Sequence, residues 1–201
     1  MHIRFAQLED LADIYAIYCP YIIETTITFE TEAPTFVSFQ DRFQTITAQY
    51  PWLIAEEDDE IIGYAYASRA FERAAYDWCA DLAIYFRKDR AHHGGAAQLY
   101  QVLLELLKRQ QVRVVYALIT AENERSTSFH ERMGFYQVGR LKGSGYKFGR
   151  WLDVIWMEKT LYDLRDPKPF QTIQQILTQE ERMEEIHIGG KFNGSHGCIE
   201  K

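Results

Sequence analysis

Small residues stand where an apolar stretch meets a predicted helix, in the segment KDRAHHGGAAQLY. Gly94, Gly95, Ala96 and Ala97 carry little or no side chain, so a ligand can approach the main chain closely. Unpaired N–H groups at a helix N-terminus attract anions. The segment therefore indicates either a phosphate cradle or tight helix packing, and the pattern alone leaves both open.

The adjacent histidines His92 and His93 do not form a metal-site pattern. Neighbouring side chains diverge, and no Cys, Asp or Glu stands at a ligand spacing nearby. The segment also lacks the G-x-x-x-x-G-K-[ST] and G-x-G-x-x-G patterns of nucleotide-binding loops. We therefore predict no metal site and read both histidines as loop residues.

Composition restricts the class of ligand. The chain has 201 residues, of which 47% are hydrophobic, and a formal net charge of −7. One ordinary core can be built from that content, while nucleic-acid binding is disfavoured because it needs a basic face. The apolar runs are shorter than the roughly 20 residues that span a bilayer, and the first residues do not resemble a signal peptide. We expect a cytoplasmic protein without membrane or nucleic-acid partners.

The elements that must position these residues follow from apolar periodicity. In chain order they are a strand over residues 2–6, helices near 11–22 and 36–48, two strands around the acidic turn 56–60, a strand over 80–88, a helix over 94–109, a strand over 112–120, a helix from Asn123 to Gly134, and two final strands, the last over 147–159. Hairpins in the first half and crossovers in the second predict an α/β protein with a mixed sheet.

The character of the chain changes after residue 161. RDPKPF indicates a helix-breaking linker, residues 170–186 have the pattern of one amphipathic helix, and the last residues have a polar, glycine-rich composition typical of flexible tails. We therefore predict one domain over residues 1–161 and a C-terminal extension over residues 162–201.

Four separated motifs resemble the Gcn5-related N-acetyltransferases (GNAT), in particular their phosphinothricin acetyltransferase-like branch. The motifs are TTITFE, ADLAIYF, AENERSTSFHERMGFYQVGRL and KFGRWLDVIWMEK, and they stand in the family's order over residues 1–160. The resemblance implies a mostly antiparallel twisted sheet flanked by helices, with a splayed central strand pair.

The resemblance also implies acetyl-CoA as co-substrate, with no metal. The family's pyrophosphate turn matches residues 91–96, where Ala91 replaces Arg or Gln. Its pantetheine arm lies along the strand before that turn, and Asn123 matches an asparagine that contacts the arm, although a plain helix cap is the alternative. The predicted cofactor contacts are Ile84, Tyr85, Phe86, His92, His93, Gly94, Gly95, Ala96, Ala97 and Asn123.

Catalysis in such enzymes is direct attack of an amine on the thioester, so a base must remove a proton from the amine. Asp81 aligns with the strand glutamate proposed as base in this branch and is one methylene shorter, which favours a bridging water. A polar strand entrance is its alternative role. His130 matches the histidine that serves the leaving thiolate, and a structural helix histidine is the alternative.

The acceptor implied by the resemblance is a small amine that also carries a carboxylate or phosphinate. The predicted acceptor contacts are Phe29, Glu30, Arg73, Tyr76, Lys147 and Arg150. The cations among them would bind the anionic group, and surface ion pairs are the alternative for Arg73 and Arg150.

These features predict a homodimeric, acetyl-CoA-dependent N-acetyltransferase. Its acceptor is predicted to be a small amino acid-like amine of the phosphinothricin or methionine sulfone/sulfoximine type. One alternative is transfer to another amine class, such as a protein N-terminus, a polyamine or an aminoglycoside. The other is a CoA-binding sensor without catalysis, which the departures at Ala91 and Asp81 keep open.

Overall fold

A seven-stranded sheet runs through the computed structural model, which describes residues 1–90, 95–163, 166–183 and 186. The strands are β1 (His2–Phe5), β2 (Trp52–Glu57), β3 (Glu60–Arg69), β4 (Cys79–Phe86), β5 (Val114–Thr120), β6 (Tyr136–Lys147) and β7 (Arg150–Thr160). Their order across the sheet is β1-β2-β3-β4-β5-β7-β6, and all neighbours are antiparallel except β4 and β5. The predicted mixed, mostly antiparallel sheet is confirmed.

Helices cover both faces of this sheet. They are α1 (Leu11–Glu24), α2 (Phe36–Thr47), α3 (Gly95–Arg109) and α4 (Glu124–Arg132), with single 3-10 turns at Leu8–Asp10 and Ala74–Tyr76. Apolar residues recur at helical spacing, so α1 and α2 bury Ile14 and Phe39 against one face while α3 buries Leu99 and Leu103 against the other. Among the described helices, none is long and apolar enough to cross a membrane.

Strands β4 and β5 run in parallel for only three residue pairs. The pairs are Cys79 with Val114, Ala80 with Val115 and Asp81 with Tyr116. Beyond Asp81, β4 continues its ladder with β3, while β5 continues with β7. The predicted splayed pair is therefore present, and main-chain groups of β4 face a gap instead of a neighbouring strand.

The C-terminal extension does not form the single amphipathic helix that its pattern predicts. It forms α5 (Ile173–Ile176) and α6 (Gln179–Met183), and Leu177 between them is extended at φ −135° and ψ 136°. Ile173 and Leu177 turn into the main core, where each is only 2% exposed. Burial of these two side chains breaks the helix that local periodicity favours. The expected flexible tail, residues 187–201, lies outside the described residues, and the boundary at residue 161 stays a prediction.

Main-chain hydrogen bonds attach the extension to the rest of the fold. The N–H of Ile173 donates to the Gln49 carbonyl, and the N–H of Ile186 donates to the Ile3 carbonyl on the edge strand β1, both at 2.8 Å. The buried Gln110 side chain donates to the carbonyls of both Gln49 and Gln171, at 2.6 and 2.8 Å. The extension is thus attached to the domain, and its residues Ile173, Leu177 and Ile186 are part of the core.

Replacing Ile173 with Ala should therefore destabilise the whole domain. Truncating a fully buried isoleucine costs roughly 2–5 kcal/mol in free energy of unfolding. Urea denaturation followed by circular dichroism measures this loss. The exposed neighbour Gln174 is the matched control, since Q174A should change stability by less than about 0.5 kcal/mol. Equal stability of I173A and the unaltered protein would show that the extension is not part of the core.

Candidate active site

A cleft of about 790 Å³ opens where β4 and β5 diverge. Its walls come from α1, the loop after it, the end of β4, the first turn of α3 and the whole length of α4. The residues that line it include Tyr21, Thr25, Ile27, Ile84, Phe86, Lys88, Ala96, Ala97, Asn123, Arg125, Ser126, Phe129, Arg132 and Met133. Its size and largely apolar walls are typical of a site for a cofactor or small molecule.

Five of the predicted cofactor contacts line this cleft. They are Ile84, Phe86, Ala96, Ala97 and Asn123. Three others, His92, His93 and Gly94, lie outside the described residues, as does Ala91 of the matched turn. Gly95 is described and is buried beside the cleft.

Tyr85, the remaining predicted contact, points away from the cleft. Its ring packs against Tyr18 and Tyr64, with ring centroids 5.0 and 5.3 Å apart, on the face that α1 covers. Successive side chains of a strand alternate between faces, so Ile84 and Phe86 lie on the opposite side. Only the main chain of Tyr85 is therefore available to a ligand in the gap.

Gly95, the first residue of α3, is buried against the side chain of Met1. A Cβ atom there would lie 2.3 Å from Sδ of Met1 and 3.7 Å from the Phe86 ring. Gly95 thus packs against protein side chains, and the end of the flexible Met1 side chain is the group that a larger residue would have to displace. Ala96 and Ala97, one and two positions later, are the small residues that face the cleft.

Asn123 caps α4 and lines the cleft at the same time. Its Oδ1 accepts the N–H of Ser126 at 3.2 Å, which is the usual helix-cap bond. The side-chain amide nitrogen is not used in that bond, and Asn123 is one of the residues that line the cleft. Both roles considered for Asn123 are therefore compatible with one conformation.

Three cations on the cleft wall were not predicted from the sequence. They are Lys88, which pairs with Glu24, and Arg125 and Arg132 on α4. Arg125 and Arg132 are seven positions apart and so fall on one helix face, a signal that was available in the sequence. With the N-terminus of α3, they bring positive potential to the cleft of an otherwise acidic protein.

Asp81 lies at the point where the two strands part. It is paired with Ser68 on β3 and Tyr116 on β5, in the last row of the parallel ladder. Burial raises the pKa of its carboxyl to about 6, and within the described residues no cation forms an ion pair with it. A carboxylate of that basicity is largely ionised at pH 7 and can accept a proton from an amine.

His130, the predicted acid, is engaged inside the protein. It is 3% exposed, with Nε2 3.0 Å from the Tyr100 hydroxyl and Nδ1 2.8 Å from the Ser126 carbonyl. A carbonyl only accepts, so Nδ1 carries the hydrogen and Nε2 accepts from Tyr100. Burial also lowers the pKa of the imidazole. This geometry favours the structural role and disfavours the predicted contact with a thiolate.

The two cations predicted near the C-terminal hairpin are likewise held by protein groups. Lys147 is 3% exposed, and its Nζ donates to the Thr28 carbonyl at 2.8 Å. Arg150 binds both carboxylate oxygens of Glu122, at 2.7 and 2.8 Å. The ion-pair alternative for Arg150 therefore describes the structure, and neither cation presents an open group to an acceptor.

The other predicted acceptor contacts lie in two places. Phe29 packs on Gly145, where a Cβ would come within 2.1 Å of its ring, and Glu30 forms an ion pair with Arg42 at 2.5 Å. Arg73 and Tyr76 are exposed around the 3-10 turn that precedes β4, the strand that carries Asp81. No group of three or more His, Cys, Asp or Glu that could hold a metal occurs in the described part of the chain.

Comparisons with known proteins agree with this architecture. The family model for the acetyltransferase (GNAT) domain matches residues 3–156. A phosphinothricin N-acetyltransferase of Streptomyces viridochromogenes is 32% identical over 176 residues, covering 88% of this chain and 96% of the relative. An L-methionine sulfoximine/L-methionine sulfone acetyltransferase of Pseudomonas aeruginosa is 35% identical over 163 residues, covering 79% and 94%.

A solved structure has the same fold. It is a GNAT superfamily phosphinothricin acetyltransferase from Sinorhizobium meliloti in complex with AcCoA, with a TM-score of 0.79 and 31% sequence identity. The match covers 83% of this chain and 91% of that one.

Replacing Ala97 with Trp should obstruct the cleft at the first turn of α3. We expect the Kd for acetyl-CoA, measured by isothermal titration calorimetry, to rise at least about tenfold, because the indole would occupy space along the cleft wall. Gln101, one turn further along α3 and exposed, provides the control variant Q101W. Unchanged affinity in A97W would show that acetyl-CoA does not occupy this cleft.

Proposed function

Since the chain belongs to the acetyltransferase (GNAT) family, we propose that it acetylates the primary amine of a small amino acid of the phosphinothricin or methionine sulfone/sulfoximine type. Membership makes the protein an acetyl-CoA-dependent N-acyltransferase, and the acceptor class is the proposal. The relatives support the acceptor class, and the observation that supports amine deprotonation is Asp81, a carboxylate of raised pKa at the junction of the splayed strands.

The cleft suits acetyl-CoA, which supplies an activated acetyl thioester when bound. Ile27, Ile84 and Phe129 offer an apolar wall for its arm, while Lys88 and Arg132 complement its phosphates. The unpaired edge of β4 beyond Asp81 offers main-chain hydrogen-bonding groups to the arm. His92, His93 and Gly94 lie outside the described residues, and their part in the phosphate site stays a prediction from the sequence motif.

Asp81 is the proposed base. An ammonium cannot attack a thioester, so the carboxylate first holds the protonated amine and then takes its proton, directly or through one water. The short side chain of aspartate favours the water-mediated route. His130 has no place in this proposal, because both of its ring nitrogens are engaged.

The acceptor class is supported by the relatives and by the charges available near Asp81. The curated relatives act, by name, on phosphinothricin and on methionine sulfoximine or sulfone. These molecules carry an amine, a carboxylate and a second polar group. Arg73 and Tyr76, exposed just before β4, are the proposed contacts of that second group, with Phe29 as an apolar wall.

Changing Asp81 to Asn should separate catalysis from stability. We expect kcat/KM for methionine sulfone to fall by roughly 10²–10⁴-fold at pH 7.5, and the acid limb near pH 6 to disappear. The assay monitors thiol release during acetylation of methionine sulfone, phosphinothricin and spermidine. Spermidine should be the poorest acceptor of the unaltered protein. Full activity of D81N would remove Asp81 as base, and a preference for spermidine would refute the acceptor class.

The stability of the same variant supplies the control. The folded pKa of Asp81 is raised, so its burial has no cost below about pH 3.8, where the carboxyl is protonated in both states. The cost grows as the pH rises through about 6. The Tm of D81N should therefore exceed that of the unaltered protein at pH 8 and approach it at pH 4. A loss of activity together with a gain in Tm cannot come from misfolding.

The expected cytoplasmic location of the protein stays a prediction.

We also propose that the protein is a homodimer. An apolar patch at the β6–β7 hairpin, formed by Tyr146, Phe148 and Trp151, supports the dimer, since Trp151 is 69% exposed. The rings of Tyr146 and Trp151 pack 5.1 Å apart. Contiguous exposed aromatic residues are typical of interaction surfaces.

Replacing Trp151 with Glu should shift the dimer toward the monomer by at least about tenfold in the dissociation constant, because a charge would be buried at the interface. Sedimentation equilibrium measures the shift. Q44E, on the exposed side of α2, introduces the same charge elsewhere and should leave association unchanged. Identical behaviour of W151E and Q44E would exclude this patch from the interface.

A further inference from the structure

A cluster of three polar side chains joins separate segments of the chain at the edge of the cleft. Glu122, between β5 and α4, accepts two hydrogen bonds from Arg150, at 2.7 and 2.8 Å. Its Oε1 also accepts the Thr26 hydroxyl at 2.5 Å. Thr26 lies in the loop after α1, and Arg150 begins β7. One carboxylate therefore connects partners that are 96 and 28 residues away along the chain.

The chain neighbours of this cluster line the cleft. Thr25 and Ile27 flank Thr26, Asn123 follows Glu122, and all three of these neighbours are lining residues. The side chains of Thr26, Glu122 and Arg150 are themselves not among the lining residues. The cluster therefore fixes two walls of the cleft relative to each other without occupying the cleft.

The cluster has a local effect instead of a general one on stability. Glu122 and Arg150 are 41% and 55% exposed, and exposed ion pairs add little to the free energy of unfolding. Hydrogen bonds from Arg150, and then from Thr26, lower the pKa of the Glu122 carboxyl, so this group is ionised at neutral pH. A two-pronged contact between guanidinium and carboxylate is directional. It therefore sets where Glu122 can hold the Thr26 hydroxyl.

The loop after α1 is tied twice to the segment that follows β5. The Thr26 carbonyl accepts the Thr120 hydroxyl, while the Thr26 hydroxyl donates to Glu122. The next residue, Ile27, is an apolar side chain that is 37% exposed on the cleft wall. A wall that is ordered before a ligand arrives spares the complex the entropy of ordering it. Loss of the tie to Glu122 should therefore weaken ligand binding.

We propose that Glu122 is a positioning residue for acetyl-CoA, which holds Thr26 and Arg150 and thereby keeps the Ile27 wall in place opposite Asn123. Acetyl-CoA contacts the walls, and Glu122 acts only through them. The inference rests on the proposed function, since it requires acetyl-CoA in this cleft. It gives Arg150 a role other than the predicted contact with the acceptor.

The test measures the Kd for acetyl-CoA by isothermal titration calorimetry and kcat by thiol release with methionine sulfone. E122A should raise Kd about 3–10-fold, because hydrogen bonds that order a binding wall are lost, and change kcat less than about twofold. T26V removes only the hydroxyl donor and should raise Kd in the same direction. The double variant T26V/E122A should bind like E122A, because both changes break one contact.

Two control variants make the same chemical changes elsewhere. E105A removes a carboxylate that accepts from Lys108 on α3. T45V removes a hydroxyl that donates to the Asp41 carbonyl on α2. Both replaced side chains are exposed, and both variants should keep the Kd of the unaltered protein.

Several outcomes would overturn the inference. One is an unchanged Kd in E122A, and another is a set of increases in T26V and E122A that multiply in the double variant. A fall in kcat and Tm together with the rise in Kd would show a merely structural role. If E122A does not fold, an unchanged Kd in T26V would decide against the inference. Failure of the unaltered protein to bind acetyl-CoA would refute the proposed function, and the inference with it.

Discussion

The early end of the parallel ladder between β4 and β5 is the constraint on which the rest of the structure depends. Three residue pairs hold the strands together, and each strand then follows its antiparallel neighbour. The divergence leaves an unpaired strand edge, which costs free energy unless other groups bind it. It also creates the cleft, and the ladder ends at Asp81, where burial raises the pKa of the carboxyl to about 6.

The gap is kept open by hydrogen bonds from outside the sheet. Tyr21 on α1 donates to the Phe86 carbonyl at the end of β4. On the other side, Thr120 at the end of β5 and Lys147 at the end of β6 donate to carbonyls of the α1–α2 loop. Helix α1 and the loop after it thus form hydrogen bonds with both halves of the sheet. Lys147 is buried and its ammonium group is bound to the Thr28 carbonyl, so that group is not available to an acceptor.

Cations near the cleft allow an acidic protein to bind anionic ligands. The chain carries a formal net charge of −7, yet Lys88, Arg125 and Arg132 converge on the cleft with the N-terminus of α3. Field strength near a ligand depends on the nearest charges, since more distant ones are screened over about 10 Å.

The sequence by itself determined the order of the main elements and the family, and with the family the splayed sheet, because apolar periodicity and contiguous motifs are local features. It predicted five of the fourteen residues that line the cleft. It could not determine which polar side chains are already engaged. Lys147 is 119 residues from Thr28 along the chain, and His130 is 30 residues from Tyr100. The break at Leu177 likewise depends on a core built from distant segments. Only the tertiary structure decided these contacts, because pairing of groups that are distant along the chain is set by packing and not by spacing.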